Sequence, residues 1–153
     1  VGWVAAGRHA QRIQRLQLMS TLSTSAPMQL ALANYLGTRS YDSHLRRIRQ
    51  VMAQRKNHAR QALRRLLPPQ VKINDSQGGY FLWIELPAGQ DATLLYRRAL
   101  EHHISIAPGS MFSSGNQYIN YFRFNTAWPW DAAQEEAVAI LAELISEQLS
   151  QPH

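Results

Sequence analysis

Tyr118-Ile119-Asn120-Tyr121-Phe122-Arg123-Phe124-Asn125-Thr126-Ala127 is aromatic, β-branched and free of Gly and Pro, the composition of a strand. Alternation along it places Tyr121, Arg123 and Asn125 on one face and Phe122, Phe124 and Thr126 on the other. A guanidinium keeps its proton, and burying one unpaired is expensive. Arg123 therefore calls for an anion. That anion is either a carboxylate of this protein or one that arrives with a ligand.

The segments upstream supply the rest of a small layered fold. Ser110 to Gln117 reads as a loop, and Ile104 to Ala107 as a strand broken by Pro108-Gly109. Asp91 to His102 is a helix with Leu94, Leu95, Ala99 and Leu100 inward, and Tyr80 to Leu86 is a strand following the Gly78-Gly79 turn. Val71 to Asn74 is a short strand. Tyr41 to Leu67 is the longest helix, with Tyr41, Leu45, Ile48, Met52, Ala59, Leu63 and Leu66 in helical register, stopped by Pro68-Pro69. Downstream, Asp131 caps a last helix with Gln134 as its capping-box partner, and the stripe runs Ala137, Ile140, Leu141, Leu144, Ile145 and Leu149. The order from Tyr41 is helix, strand, strand, helix, strand, strand, helix. This predicts an α+β layer, a small sheet covered by helices.

The first forty residues read differently. Val1 to Ala6 predicts a short strand ending at Gly7, and Arg8 to Met19 a helix with Ile13 and Leu16 on one face. Ser25 is placed to cap the helix Met28 to Leu36, with Pro27 tolerated in its first turn. That helix is apolar almost all round, so it predicts burial on several sides. The natural boundary falls near Gly37 to Asp42. An opening without Met that already reads as an element suggests a piece of a longer protein.

Bulk properties narrow the classes. The chain has 153 residues, 45% hydrophobic, enough for one domain with a real core. With no cysteine, disulfides and thiolate metal sites are excluded. No apolar run approaches a membrane span, and no signal-peptide pattern opens the chain. The net charge of +6 is carried mostly by arginine, concentrated from Arg39 to Arg65, while the acids gather from Asp131 to Glu147.

Three segments together carry a family resemblance: Gly78-Gly79-Tyr80-Phe81-Leu82-Trp83-Ile84-Glu85-Leu86-Pro87, Ala107-Pro108-Gly109-Ser110-Met111-Phe112, and Tyr121-Phe122-Arg123-Phe124-Asn125. Their order and spacing resemble the C-terminal small domain of fold-type-I, pyridoxal-phosphate-dependent aminotransferases. The nearest likeness is the aminotransferase-like half of MocR-type regulators of the GntR family. The resemblance implies that residues 1–39 are the tail of the large cofactor-binding domain and 40–153 the small domain. It implies that Arg123 docks the α-carboxylate of an amino acid or amine-bearing ligand, with Asn125 in support. It sets Pro108, Gly109 and Ser110 in a loop at the active-site mouth. It further implies a cytoplasmic, homodimeric parent that binds pyridoxal phosphate and reaches DNA through an upstream winged-helix domain. The alternative is a stand-alone amino-acid aminotransferase without that domain, and a plainer third possibility is an interaction domain.

The same alignment sets the cofactor's lysine, its aspartate and its phosphate-binding groups upstream of Val1. Lys56 and Lys72 do not lie where the family's lysine lies. No catalytic or cofactor-binding residue is therefore expected in this piece, which by itself is expected to be inactive and to hold no cofactor tightly.

Other motifs are weighed against plainer readings. The arginine-rich helix invites a nucleic-acid reading, but no base-reading motif or interleaved aromatics accompany it, and a solvated face explains it better. His102 and His103, adjacent on a helix, would point about 100° apart at ~3.6 residues per turn and lack a third ligand, so no metal site is expected. Ser110, Ser113 and Ser114 lack a nucleophile elbow. Asn74-Asp75-Ser76 matches a glycosylation pattern by chance. Trp3, Trp83, Trp128 and Trp130 read as core or interface anchors.

Overall fold

A computed structural model describes residues 1–74, 76–115 and 117–150. The Asn74-Asp75-Ser76 pattern and the Ser110–Gln117 loop each include a position, Asp75 or Asn116, outside the described residues. The chain divides into two compact units, Val1–Arg47 and Ile48–His153. The division falls inside a helix, α3 (Arg39–Leu66), rather than at the turn that precedes it.

In the first unit a 3-10 turn, Gly7–His9, leads into α1 (Ala10–Thr21) and α2 (Ala26–Leu36). Two expectations are corrected here. Val1 to Ala6 forms no strand, and Trp3 is 91% exposed. A lone extended segment has no neighbour to take its N–H and C=O groups, so composition alone cannot make it a strand. The apolar helix α2 buries none of its residues, and Met28, Leu30, Leu32 and Leu36 all face solvent. Propensity makes the helix, but burial needs a covering element. Ser25 does sit at the N-cap, without a side-chain capping bond, and Pro27 lies in the first turn.

The second unit follows the order read from the sequence: the rest of α3, then β1 (Lys72–Asn74), β2 (Phe81–Glu85), α4 (Ala92–Glu101), β3 (Ala107–Pro108), β4 (Tyr121–Asn125) and α5 (Ala132–Ser150). Among the described residues the strands form one four-stranded antiparallel sheet, in the order β1-β2-β4-β3. Leu82, Ile84 and Phe122 point to one face. There they join Leu63 and Leu67 from the α3 end, Leu95 and Ala99 of α4, and Val138, Leu141 and Ile145 of α5. Three helices thus seal one face of the sheet, and the other stays open.

Two of these helices, α4 and α5, are capped by aspartate, as side-chain oxygens satisfy otherwise orphaned N–H groups. Thr93 N donates to Asp91 Oδ1 at 2.7 Å, and Gln134 N donates to Asp131 Oδ1 at 2.9 Å. Lys56 is buried in α3 and points its ammonium at the chain before β2. It donates to the Ser76 carbonyl, to Ser76 Oγ at 3.1 Å and to the Gly78 carbonyl at 3.2 Å.

Three details depart from the sequence reading. Pro108 does not break the third strand but lies within it, opposite Phe122. It is tolerated because β3 is an edge strand and needs no N–H there. Residues 118–120 form a turn, with Tyr118 at φ 61° and Tyr121 N donating back to Tyr118 O at 3.1 Å, so β4 starts three residues late. His102 and His103 lie beyond the end of α4, and His103 takes φ 61°.

Candidate functional site

The open face of the sheet is built by alternation. Phe81, Trp83 and Glu85 project from β2, and Tyr121, Arg123 and Asn125 from β4. The register sets Phe81 opposite Asn125, Trp83 opposite Arg123 and Glu85 opposite Tyr121. On its other side Arg123 faces Ala107, whose single methyl leaves room. A groove of about 450 Å³ borders Arg123 at this edge of the sheet, lined by Phe81, Arg123 and Asn125, by the chain from His103 to Ala107, and by Ala137, Val138 and Leu141 of α5.

Arg123 is half-buried, and its guanidinium carbon lies 4.1 Å from the centre of the Phe81 ring and 4.4 Å from that of Phe112. Among the described residues it makes no ion pair and no side-chain hydrogen bond. The acid nearest along its face is already engaged. Glu85 is held by Lys72, whose Nζ donates at 3.3 Å from the facing position on β1, and it faces Tyr121 across the β2–β4 register. The guanidinium carbon thus lies over two aromatic rings, and no described residue claims its N–H edge. That arrangement suits a planar carboxylate, which takes two parallel charge-assisted bonds from such an edge.

The remaining expected residues fall around it. Asn125 is exposed on the same face, and its Oδ1 accepts from its own chain, from Ala127 N at 2.9 Å. Pro108 and Gly109 are buried beside β4, whereas Ser110 is exposed with its Oγ 3.4 Å from Thr93 Oγ1. The segment Gly109–Phe112 is a 3-10 turn that carries Phe112 to the guanidinium. Phe81 and Phe112 were not singled out from the sequence. Alternation alone could have found Phe81, since it shares a face with Trp83, but nothing in the spacing of the loop announces Phe112.

Behind Phe112 stands an aromatic cluster. The Trp83 ring meets Phe112 edge-on at 5.8 Å, Tyr118 edge-on at 5.6 Å and Tyr121 in a stacked arrangement at 5.7 Å. Desolvation against this cluster pushes the Glu85 carboxyl upward, but the bonds from Tyr121 and Lys72 outweigh it and hold the group below its ordinary value. Desolvation and then the Glu85 bond raise the Tyr121 phenol. The signs give opposite limbs. The Glu85 contribution to stability is present above its unfolded pKa and lost as pH falls through the lowered folded value. The Tyr121 contribution is present below its unfolded pKa and lost as pH rises through the raised one. Urea midpoints of the sheet unit, read locally by amide protection in β2 and β4, should therefore fall at both ends of the pH range, and Glu85→Gln should flatten the acid limb. An unchanged acid limb in that variant would mean that Glu85 plays no such part.

The residues present do not fit as holders of pyridoxal phosphate. That group needs an amine over it. The Lys56 ammonium is committed to Ser76 and Gly78 behind the sheet, and Lys72 sits on an outer strand beside Glu85. Among the described residues no three histidine or acidic side chains gather as a metal site, and no helix is long and apolar enough to cross a membrane.

Known proteins share this architecture. The family model for aminotransferase class I and II matches residues 1–141. A relative from Escherichia coli (strain K12), the uncharacterized HTH-type transcriptional regulator YdcR, is 62% identical over 149 residues, covering 97% of this chain and 32% of that protein. Among solved structures, LysN, an α-aminoadipate aminotransferase from Thermus thermophilus, superposes with a TM-score of 0.80 at 27% identity, over 94% of this chain and 36% of that one. A kynurenine aminotransferase from Pyrococcus horikoshii gives a TM-score of 0.80 at 26% identity, over 92% of this chain and 35% of that one. The chain spans about a third of the length of the curated relatives it matches. The fold matches solved aminotransferases, the sequence relatives include proteins named as HTH-type transcriptional regulators, and the chain belongs to the aminotransferase class I and II family.

Proposed function

We propose that this chain is the carboxylate-docking part of a longer, pyridoxal-phosphate-binding protein of the MocR type, which senses an amino acid or related amine and binds DNA through an upstream winged-helix domain. The observation that carries the reading is Arg123, lying over two phenyl rings, free of an ion pair among the described residues and bordering an open groove. In this reading residues 1–39 belong to the large domain and 40–153 to the small one. The apolar surface of α2 is covered by the rest of the parent or by its dimer partner. The cofactor, held by upstream residues, supplies an electrophile for the ligand's amine. Arg123 binds the ligand's carboxylate, Asn125 borders it, and the turn from Pro108 to Ser110 lies at the mouth and helps keep water out. The kinship with a protein named as an HTH-type regulator supports a DNA-binding parent acting in the cytoplasm.

The test uses the full-length protein. Each of the twenty L-amino acids is titrated in while the visible absorption of the bound cofactor is followed. At least one should shift the band saturably. Arg123→Gln should raise the half-saturating concentration about tenfold to a hundredfold, the range of a lost charge-assisted hydrogen bond. A variant that binds as the parent does, or a panel in which nothing shifts the band, would remove the assignment.

The likeness to LysN supports a second reading, a stand-alone aminotransferase. A mobility shift with duplex DNA separates the two, since the plain enzyme should give none.

A further inference from the structure

We infer that Phe81 and Phe112 are positioning residues for Arg123, an aromatic clamp of two rings that aims the guanidinium edge at the ligand's carboxylate. This rests on the carboxylate-docking reading and goes beyond it, because it states what holds the fork in place without a protein acid.

The argument starts from mobility. An arginine with no ion pair has a long side chain and many rotamers to lose on binding. Here the guanidinium carbon lies over two rings, 4.1 Å and 4.4 Å from their centres, within the reach of cation–π attraction. The two rings come from different places: Phe81 from the start of β2 and Phe112 from the end of the 3-10 turn after β3. Each is backed in turn. Tyr80 meets Phe81 at 4.4 Å between ring centres, and Trp83 meets Phe112 edge-on at 5.8 Å. Trp83 is itself stacked on Tyr121. A guanidinium held over aromatic rings keeps its in-plane N–H groups to offer. A planar acceptor lying in that plane, the carboxylate, is then the group it takes best. The rings also do what a carboxylate partner would do for a buried cation, without occupying the donors the ligand needs.

The experiment uses the full-length protein and the amino acid from the twenty-member panel that gives the strongest cofactor response. Phe112→Leu and Phe81→Leu keep apolar bulk but remove the π face, whereas Phe112→Tyr keeps it. Each leucine variant should raise the half-saturating concentration roughly threefold to thirtyfold, while Phe112→Tyr stays near the parent. The decisive readout is the double variant. In an Arg123→Gln background, Phe112→Leu should add nothing further, because the clamp acts only through the arginine. If the leucine effect persists undiminished in that background, the rings act elsewhere and the inference falls. If Arg123→Gln weakens binding while both leucine variants bind normally, the clamp alone is overturned and the docking role survives. If Arg123→Gln itself changes nothing, the docking role fails and the clamp with it.

Discussion

Phe122→Ala should destabilise the sheet unit by about 3–5 kcal/mol, the range for removing a fully buried aromatic ring. Phe122 is wholly inaccessible and sits at the middle of the core face, opposite Ile84 on one side and Pro108 on the other. Leu63, Leu95, Val138, Leu141 and Ile145 belong to the same buried cluster, so the cavity left by the ring is walled by three helices and the sheet. Such walls relax only partly, and the lost dispersion contacts add to the lost transfer energy. The readout should be local, because a long multidomain protein does not unfold in one step. Amide exchange of β2 and β4 in the full-length protein should quicken by roughly two to three orders of magnitude. Protection within tenfold of the parent would show that the ring is less tightly enclosed than described. Arg123, on the opposite face of the same strand, would lose its orientation only through loss of the strand itself.

Gly109→Ala should disturb the site directly. A Cβ added at Gly109 would fall on the carbonyl oxygen of Tyr118, 2.8 Å from Tyr118 Cβ and 3.0 Å from Tyr121 Cβ. The first of these is backbone and cannot swing away. The turn Gly109–Phe112 must therefore move off the Tyr118–Tyr121 segment, at about 1–3 kcal/mol or more for overpacking. Phe112 rides on that turn, so its ring should leave the guanidinium and the edge of Trp83. Two signals follow in the full-length protein: faster amide exchange in β3 and β4, and ligand affinity reduced at least as much as by Phe112→Leu. A variant with native protection and native affinity would mean that the close approach has slack the geometry does not reveal.

These expectations separate what could be read early from what could not. The helix and strand order from α3 to α5 was legible because each element carries a complete periodic signal with its own stop. Pro68-Pro69 ends α3, Asp91 and Asp131 cap α4 and α5, and alternation from Phe81 to Glu85 sorts two faces. The facing of Arg123 away from Phe122 was legible for the same reason. Strand limits were not. Val1–Ala6 has strand composition but no partner, and Tyr118–Asn120 has it too but is spent on a turn tied to β2 through Asn120, whose Nδ2 donates to Leu86 O at 2.7 Å. Pairing is a property of two segments, and one segment's composition cannot state it.

By itself, then, the sequence determined that this chain makes a small sheet covered by helices, and that one strand lifts an arginine off the core face. Periodicity and capping are local, so residues a few positions apart suffice to write them. Only the tertiary structure decided that Glu85 is taken by Lys72 and Tyr121, that Phe81 and Phe112 close on the guanidinium, and that a bare Gly109 lets their turn come near. Those contacts join residues from about ten to about forty positions apart, through the sheet register and the turn after β3, and a register is settled by the packing of the whole face at once.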